Sequence, residues 1–486
     1  MPTFRCDLNQ PTTPFPHSWE HTVGSGHAPL ALRADWQEQL RRCRKELGVQ
    51  HVRFHGLLSD DMGTLIMHQD RLLYSFLNAD RIFDFLLSIG MRPFIELSFM
   101  PGAIASGDQT VFKYRANVTP PKDYDLWDTL ISRLVRHWID RYGLEEVRTW
   151  PMEVWNEPNQ PQFWPAGWDK YCELYRHTAQ AIKQVDSGLR VGGPATSKNA
   201  HIEEFLKFCT GGEIPVDFIS THFYPTDPFG TEYQNTEDQL AHSRRGIMCE
   251  QAQDTRRQAC GLPVYYTEWS TSSNSRDPLH DESYAAAYVA KTLMDTSHLV
   301  EGYSFWTFSD IFEENYFPSE PFHGGFGLLN LYGIPKPSYR VYEMLHHLGN
   351  ELCAMDGLHN SVNAWTTRAD DSVTVLLTNL ALPQHTIVTE RVEVTLQNCP
   401  APKGAFLRRI DADHGNPKRM WEELGKPTYL SPWQVDLLED ASRVAPATFA
   451  VAHEDGTITF NLEMPLQSVA SITIVFDQPV PWRQRG

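Results

Sequence analysis

From residue 17 to residue 348 the sequence repeats one alternation eight times: a short β-prone run, then a longer stretch with apolar residues at helical spacing. The runs fall at 17–23, 51–56, 93–98, 150–155, 190–193, 217–224, 263–269 and 302–308. The helical stretches fall at 35–47, 78–89, 127–138, 168–185, 202–209, 237–259, 284–298 and 339–348. In the third, Trp127, Leu130, Ile131, Leu134, Val135 and Trp138 occupy i, i+3, i+4, i+7, i+8 and i+11, one face of a helix. A strand reached through a crossover helix runs parallel to its predecessor, and eight such units close on themselves. The expected class is therefore α/β, a (β/α)8 TIM barrel over residues 17–350. Asp35, with Glu38 three residues on, suggests a capping box at the first helix, and Gly48 its stop. The connection 99–123 is too long for mere linkage and is expected to contribute to a site.

Beyond residue 352 the period changes. Runs at 373–377, 392–396, 405–410, 457–462 and 472–476 alternate or stay apolar between turn residues, which predicts an antiparallel β-sandwich domain over 351–486. Residues 1–16 are proline-rich and are expected to form an arm that packs on that β-domain.

Charge narrows the partners. With 42 basic and 61 acidic side chains the net charge is −19, which repels nucleic acid and anionic membranes and suits a neutral substrate such as a sugar. No stretch of about 18 apolar residues is present, so no membrane span is expected. The first residues lack a basic segment followed by an apolar run, so the expected location is the cytoplasm. Eight scattered cysteines without a CxxC pair predict free thiols, not disulfides or a metal site. HExxH, Walker-type, GxSxG and dinucleotide motifs are absent; no metal and no cofactor are expected. A sandwich with long loops offers surface for self-association, but the sequence sets no symmetry.

Two acids stand out by position. Thr149–Asn159 reads TWPMEVWNEPN, a β-prone run halted at Asn156-Glu157-Pro158, where Pro158 has no N–H to give a sheet. Val264–Ser270 reads VYYTEWS and brings Glu268 to the end of a second such run. By this count Glu157 ends the fourth strand and Glu268 the seventh, and barrel enzymes keep their catalytic groups at those ends. A pair of carboxylates about 5–5.5 Å apart serves retaining glycoside hydrolysis, one as acid and one as nucleophile. Mutual repulsion keeps one of them protonated near neutral pH.

These two motifs, with RFHG (residues 53–56), YRANVTPPKDYDLW (114–127), THFYP (221–225), WTFSDIFEE (306–314) and HGNPKRMWEELGKPTYLS (414–431), resemble glycoside hydrolase family 39, the β-xylosidases and their relatives. The resemblance covers most of the chain. It implies Glu157 as acid/base and Glu268 as nucleophile, with Asn156 on the sugar 2-hydroxyl. It also implies that His222 and Tyr224 line the sugar pocket, that His55 and Phe112 reach the sugar, that Trp306 forms a wall, and that Glu313 and Glu314 accept sugar hydroxyls. The expected activity is that of a retaining exo-acting β-D-xylosidase working on small xylo-oligosaccharides from the non-reducing end. The alternatives are α-L-iduronidase, α-L-arabinofuranosidase, or a non-catalytic carbohydrate-binding protein. The first calls for basic residues near the site, where WTFSDIFEE supplies acids.

Overall fold

Eight parallel runs that are buried on both faces hide their edges by closing on themselves, and the chain does so. In the computed structural model, which describes residues 1–227, 235–314 and 318–476, they close into a barrel. Its strands are β1 Thr22–His27, β2 His51–His55, β3 Arg92–Leu97, β4 Pro151–Val154, β5 Arg190–Ser197, β6 Phe218–His222, β7 Val264–Trp269 and β8 Gly302–Phe305. Each pairs in parallel with the next, and β8 returns to β1 through Phe305 and Val23. Outside lie α1 Ala34–Leu47, α2 Leu77–Ser88, α3 Tyr124–Tyr142, α4 Trp168–Val185, α5 Ile202–Gly211, α6 Ile247–Gln258, α7 Ser283–Thr296 and α8 Pro337–His346.

Four local expectations need correction. The first strand begins at Thr22, and residues 18–20 form a 3₁₀ turn in which His17 stacks on Trp19. Its sequence, TVGSGH, contains two glycines that β-propensity rejects, but a Cβ on Gly24 would lie 2.5 Å from Trp306 and one on Gly26 2.9 Å from Phe312. The capping box at Asp35 does not form: α1 starts at Ala34, and Asp35 pairs with Arg33 inside the first turn. The polar stretch 237–259 is two helices, Thr236–His242 and α6. Between them Arg245 donates its Nε to the Leu380 carbonyl (2.9 Å), tying the break to the β-sandwich. Finally, β4 stops at Val154, before Pro158, because Trp155 turns into the left-handed region at φ 70°.

The C-terminal strands build two sheets around an apolar core that includes Phe4, Val375, Val394, Phe460 and Ile472. The N-terminal arm supplies a strand to each. Thr3–Asp7 pairs in parallel with Glu390–Gln397, and Thr13–Pro14 pairs with Glu351–Cys353. Residues 477–486 of the expected sandwich lie outside the described residues. Helix α7, from the crossover after β7, is buried except at Asp295 because the barrel covers one side and the larger sheet the other. Its alanine-rich sequence, mostly apolar around the helix with Lys291 paired to Asp295, fits that position. Among the described residues no helix is long and apolar enough to cross a membrane.

Gly24 links packing to the site, since its missing Cβ is the space Trp306 occupies. Gly24→Ala is expected to lower stability by about 1–3 kcal/mol and to reduce turnover by displacing Trp306; thermal unfolding and steady-state kinetics on the same preparation check both.

Candidate active site

The carboxyl ends of the barrel strands open into a cavity of about 690 Å³, whose walls include Glu157, Glu268, Tyr224, Trp306, Phe112 and Glu314. Below its floor, inside the barrel, sits Arg53 on β2, fully buried. Its guanidinium donates Nε to Glu153 of β4 (2.6 Å), Nη1 to Glu268 (2.8 Å) and Nη2 to Asn156 (3.0 Å), and ion-pairs with Glu96 of β3 (2.7 Å). One cation thus serves three carboxylates and an amide. Burying such a charge is expensive unless every donor is satisfied, and here the planar fork meets acceptors on all sides.

The two central acids are close. One side-chain oxygen of Glu157, one of Glu268 and a ring nitrogen of His222 lie within 4.8 Å of one another. His222 Nδ1 is 2.9 Å from Glu157 Oε1 and 3.6 Å from Glu268 Oε2, while Tyr224 donates its hydroxyl to Glu268 Oε2 at 2.9 Å. This trio is also the cluster among the described residues best spaced to hold a metal ion, although Glu157, His222 and Glu268 already satisfy one another and Arg53.

Backbone irregularities aim these groups. Strand alternation would send Thr267 and Glu268 to opposite faces, but the β6–β7 register slips between Thr221 and His222, so that His222 faces Glu268. Both side chains then reach the interior: Thr267 donates to Glu153 Oε1 (2.7 Å) and meets His222 Nε2 at 3.1 Å. After β4, Trp155 and Glu157 both hold positive φ, at 70° and 42°. The buried Trp155 indole donates to the Phe163 carbonyl (2.9 Å), and the Glu157 N–H donates to Ala195 on β5 (2.8 Å). These contacts offset the backbone strain.

Electrostatics separates the groups. Burial first, and the Glu268 charge next, push the Glu157 carboxyl well above the usual range. Partial burial first, and then the Glu268 and Glu96 charges, push Glu314 up to about 8 against the pull of His55. Two imidazoles in the same barrel go opposite ways. Burial opposes charge on His55, but Glu96, Glu268 and Glu314 overcome it and raise it to about 9. In His222 burial is reinforced by Arg53 and His55, which hold it well below its ordinary value, a neutral ring. Burial raises Tyr224 too, with Glu268 and Glu157 adding to it, so it stays a donor.

Each residue singled out from sequence is placed. Glu157, Glu268, Phe112, Tyr224, Trp306 and Glu314 line the cavity. Asn156 and His222 lie buried immediately behind it. His55 is also buried, 3.6 Å from Glu268 and 3.5 Å from Glu314 through Nε2, with its ring 4.8 Å from that of Trp306. Glu313 is not on the wall: its Oε1 faces His27 Nδ1 at 3.2 Å. Sequence reading passed over Arg53, Glu96, Glu153 and Thr267. The signal was available, because a charge inside a strand of a parallel barrel sits where the fold demands apolar residues and must have a partner.

A sequence model of glycosyl hydrolases family 39 matches residues 3–459. A β-xylosidase from Caldicellulosiruptor saccharolyticus is 47% identical over 463 residues, 94% of this chain and 95% of that protein. A β-xylosidase from Geobacillus stearothermophilus is 40% identical over 443 residues, 88% of this chain and 86% of that protein. Among solved structures, a monomeric β-xylosidase from Caulobacter crescentus CB15 superposes with a TM-score of 0.88 at 34% identity, covering 98% of this chain and 100% of that one.

Replacing Arg53 with Met should destabilise the fold by about 3–5 kcal/mol, the scale for breaking a buried ion pair, because three carboxylates lose their common cation. Chemical denaturation measures the loss, and an Arg53→Met variant as stable as the parent would contradict the assignment.

Proposed function

The chain belongs to glycosyl hydrolases family 39, and from that premise we propose that it is a retaining, exo-acting β-D-xylosidase that releases xylose from the non-reducing end of xylo-oligosaccharides. The observation that carries the proposal is the Glu157–Glu268 pair, with one oxygen of each within 4.8 Å of the other. That fits the short spacing of retaining enzymes, whose carboxyls lie about 5–5.5 Å apart without room for an attacking water beside the sugar. Inverting enzymes separate their carboxyls by about 6.5–9.5 Å to make that room. In this reading Glu268 attacks the anomeric carbon, held in orientation by Arg53 and Tyr224. Glu157, kept protonated by burial and by the Glu268 charge, gives its proton to the leaving oxygen. Once Glu268 is esterified its charge is gone, so Glu157 ionises and takes a proton from the water that hydrolyses the ester. Asn156, clamped through Oδ1 by Arg53, keeps its amide N–H groups for the sugar 2-hydroxyl. His55, Glu314 and Trp306 complete the pocket around the sugar ring.

The wall chemistry favours a neutral sugar over a uronate. Among the described lining residues the one cation is Lys198, already paired with Asp227, against Glu157, Glu268 and Glu314. A uronate carboxylate would meet acids there. The eight cysteines are all free thiols, consistent with a reducing compartment, and we place the enzyme in the cytoplasm.

Proton NMR of a β-xyloside digest should show β-xylose as the first-formed anomer, and the α-anomer would overturn double displacement. A 2-fluoroxyloside should add its mass at Glu268; labelling of any other residue would reassign the nucleophile. With poor leaving groups, kcat/KM should be retained below the raised pKa of Glu157 and fall as pH rises through it, because only the protonated acid is competent. Glu157→Gln should cost about 10²–10⁴ in rate with those substrates and far less with activated aryl xylosides. Equal losses on both would show that Glu157 is not the acid.

A further inference from the structure

Behind the cavity wall three barrel-top loops meet on one imidazole. His27 ends β1 and is only 2% exposed. Asp61, from the turn after β2, places Oδ2 2.8 Å from its Nε2. Glu313, from the segment after β8, places Oε1 3.2 Å from its Nδ1. Tyr114, from the hairpin after β3, stacks on the ring with centroids 3.6 Å apart and planes 7° from parallel. The partners are continuous with the wall. Phe112 lies two residues before Tyr114, Glu314 directly follows Glu313, and the Lys113 N–H donates to the Glu314 carbonyl at 2.6 Å.

We infer that His27 is a positioning residue of the sugar pocket, a clasp whose two ion pairs and ring stack hold the Phe112 and Glu314 walls against each other. The inference rests on the xylosidase reading of the cavity and adds to it a residue that touches no substrate. A carboxylate faces each ring nitrogen. A neutral imidazole would therefore turn a lone pair toward one of them, and only the imidazolium satisfies both. The titratable groups around the ring are Asp61, Glu313, Glu314 and Tyr114, with Arg33 facing Glu313 from the start of α1. Burial opposes the charge on His27, but the hydrogen bonds and charges of Asp61 and Glu313 outweigh it and leave its pKa raised. The clasp is fully closed below the ordinary histidine pKa and opens as pH rises through the raised value. Opening frees Glu313, and with it the segment that carries Glu314.

The test uses the intact enzyme and a dinitrophenyl β-xyloside, whose departure needs no acid, so that Glu157 does not dominate the pH profile. Asp61→Asn changes a side chain 39% exposed and removes one of the two anions holding the imidazolium. The alkaline limb of kcat/KM should then move to lower pH by about one unit, the usual influence of one close charge. His27→Phe keeps the stack on Tyr114 and loses both ion pairs. It should raise KM by about tenfold with kcat little changed, the mark of lost binding and not lost chemistry. A brace important only for folding would lower the unfolding temperature without moving the pH profile of Asp61→Asn. An unmoved limb in that variant, or an unchanged KM in a folded His27→Phe, would overturn the clasp while leaving the xylosidase reading intact. Failure of the unaltered enzyme to cleave any aryl β-xyloside would instead sink that reading, and the clasp with it.

Discussion

The guanidinium of Arg53 is the interaction on which the site is assembled. Glu96 and Glu153, buried in the barrel interior, find their counter-charge in it, and Glu268 at the cavity floor takes a hydrogen bond from it. The dependence runs both ways. Glu153 and Glu96 come from adjacent strands and fix the plane of the guanidinium, which leaves Nη1 aimed at Glu268 and Nη2 at Asn156. The nucleophile and the amide beside the acid are thus oriented by one rigid group. Burial, reinforced by the same cation and by His55, keeps His222 neutral. A neutral ring can accept from one partner and donate to another, which suits its place between Thr267 and Glu157.

This polar centre stands inside a mostly apolar frame, and the frame is stiffened from outside. The crossover after β7 passes through α7, which the sandwich covers on its far side, so the strand that carries Glu268 is followed by a helix with almost no access to solvent. The arm reinforces the arrangement by giving one strand to each sheet of the sandwich. A second buried cation, Lys336, holds Asp281 and Asp310 at 2.7 Å each and so ties the segment after β8 to the connection after β7. Precision at the cavity is therefore inherited from packing well away from it.

The chemistry follows from asymmetry between two carboxylates of one residue type. Glu268 has Arg53 and Tyr224 as donors; Glu157 has the neutral His222, partial burial and a neighbouring negative charge. Environment alone assigns the proton to Glu157 in the resting site. The same logic leaves His55 charged and His222 neutral, although both are buried histidines at strand ends.

Much of this was legible in the letters. Strand–helix alternation set the barrel, the change of period set the sandwich, and Glu157 and Glu268 stood out because each interrupts an apolar run where a strand must end. Those signals are local, and local spacing determines them. What the sequence could not convey depends on approach between distant segments. The course of the first strand beyond Val23 hid behind Gly24 and Gly26, whose meaning is the presence of Trp306 and Phe312. The register slip that turns Thr267 and Glu268 inward together arises only when β6 and β7 pair. Glu313 and Glu314 are neighbours in sequence, yet one faces His27 and the other the cavity, a division made by loops that meet only when the barrel closes. Periodicity reports which face a residue prefers, whereas its partner is chosen by three-dimensional packing that no single segment contains.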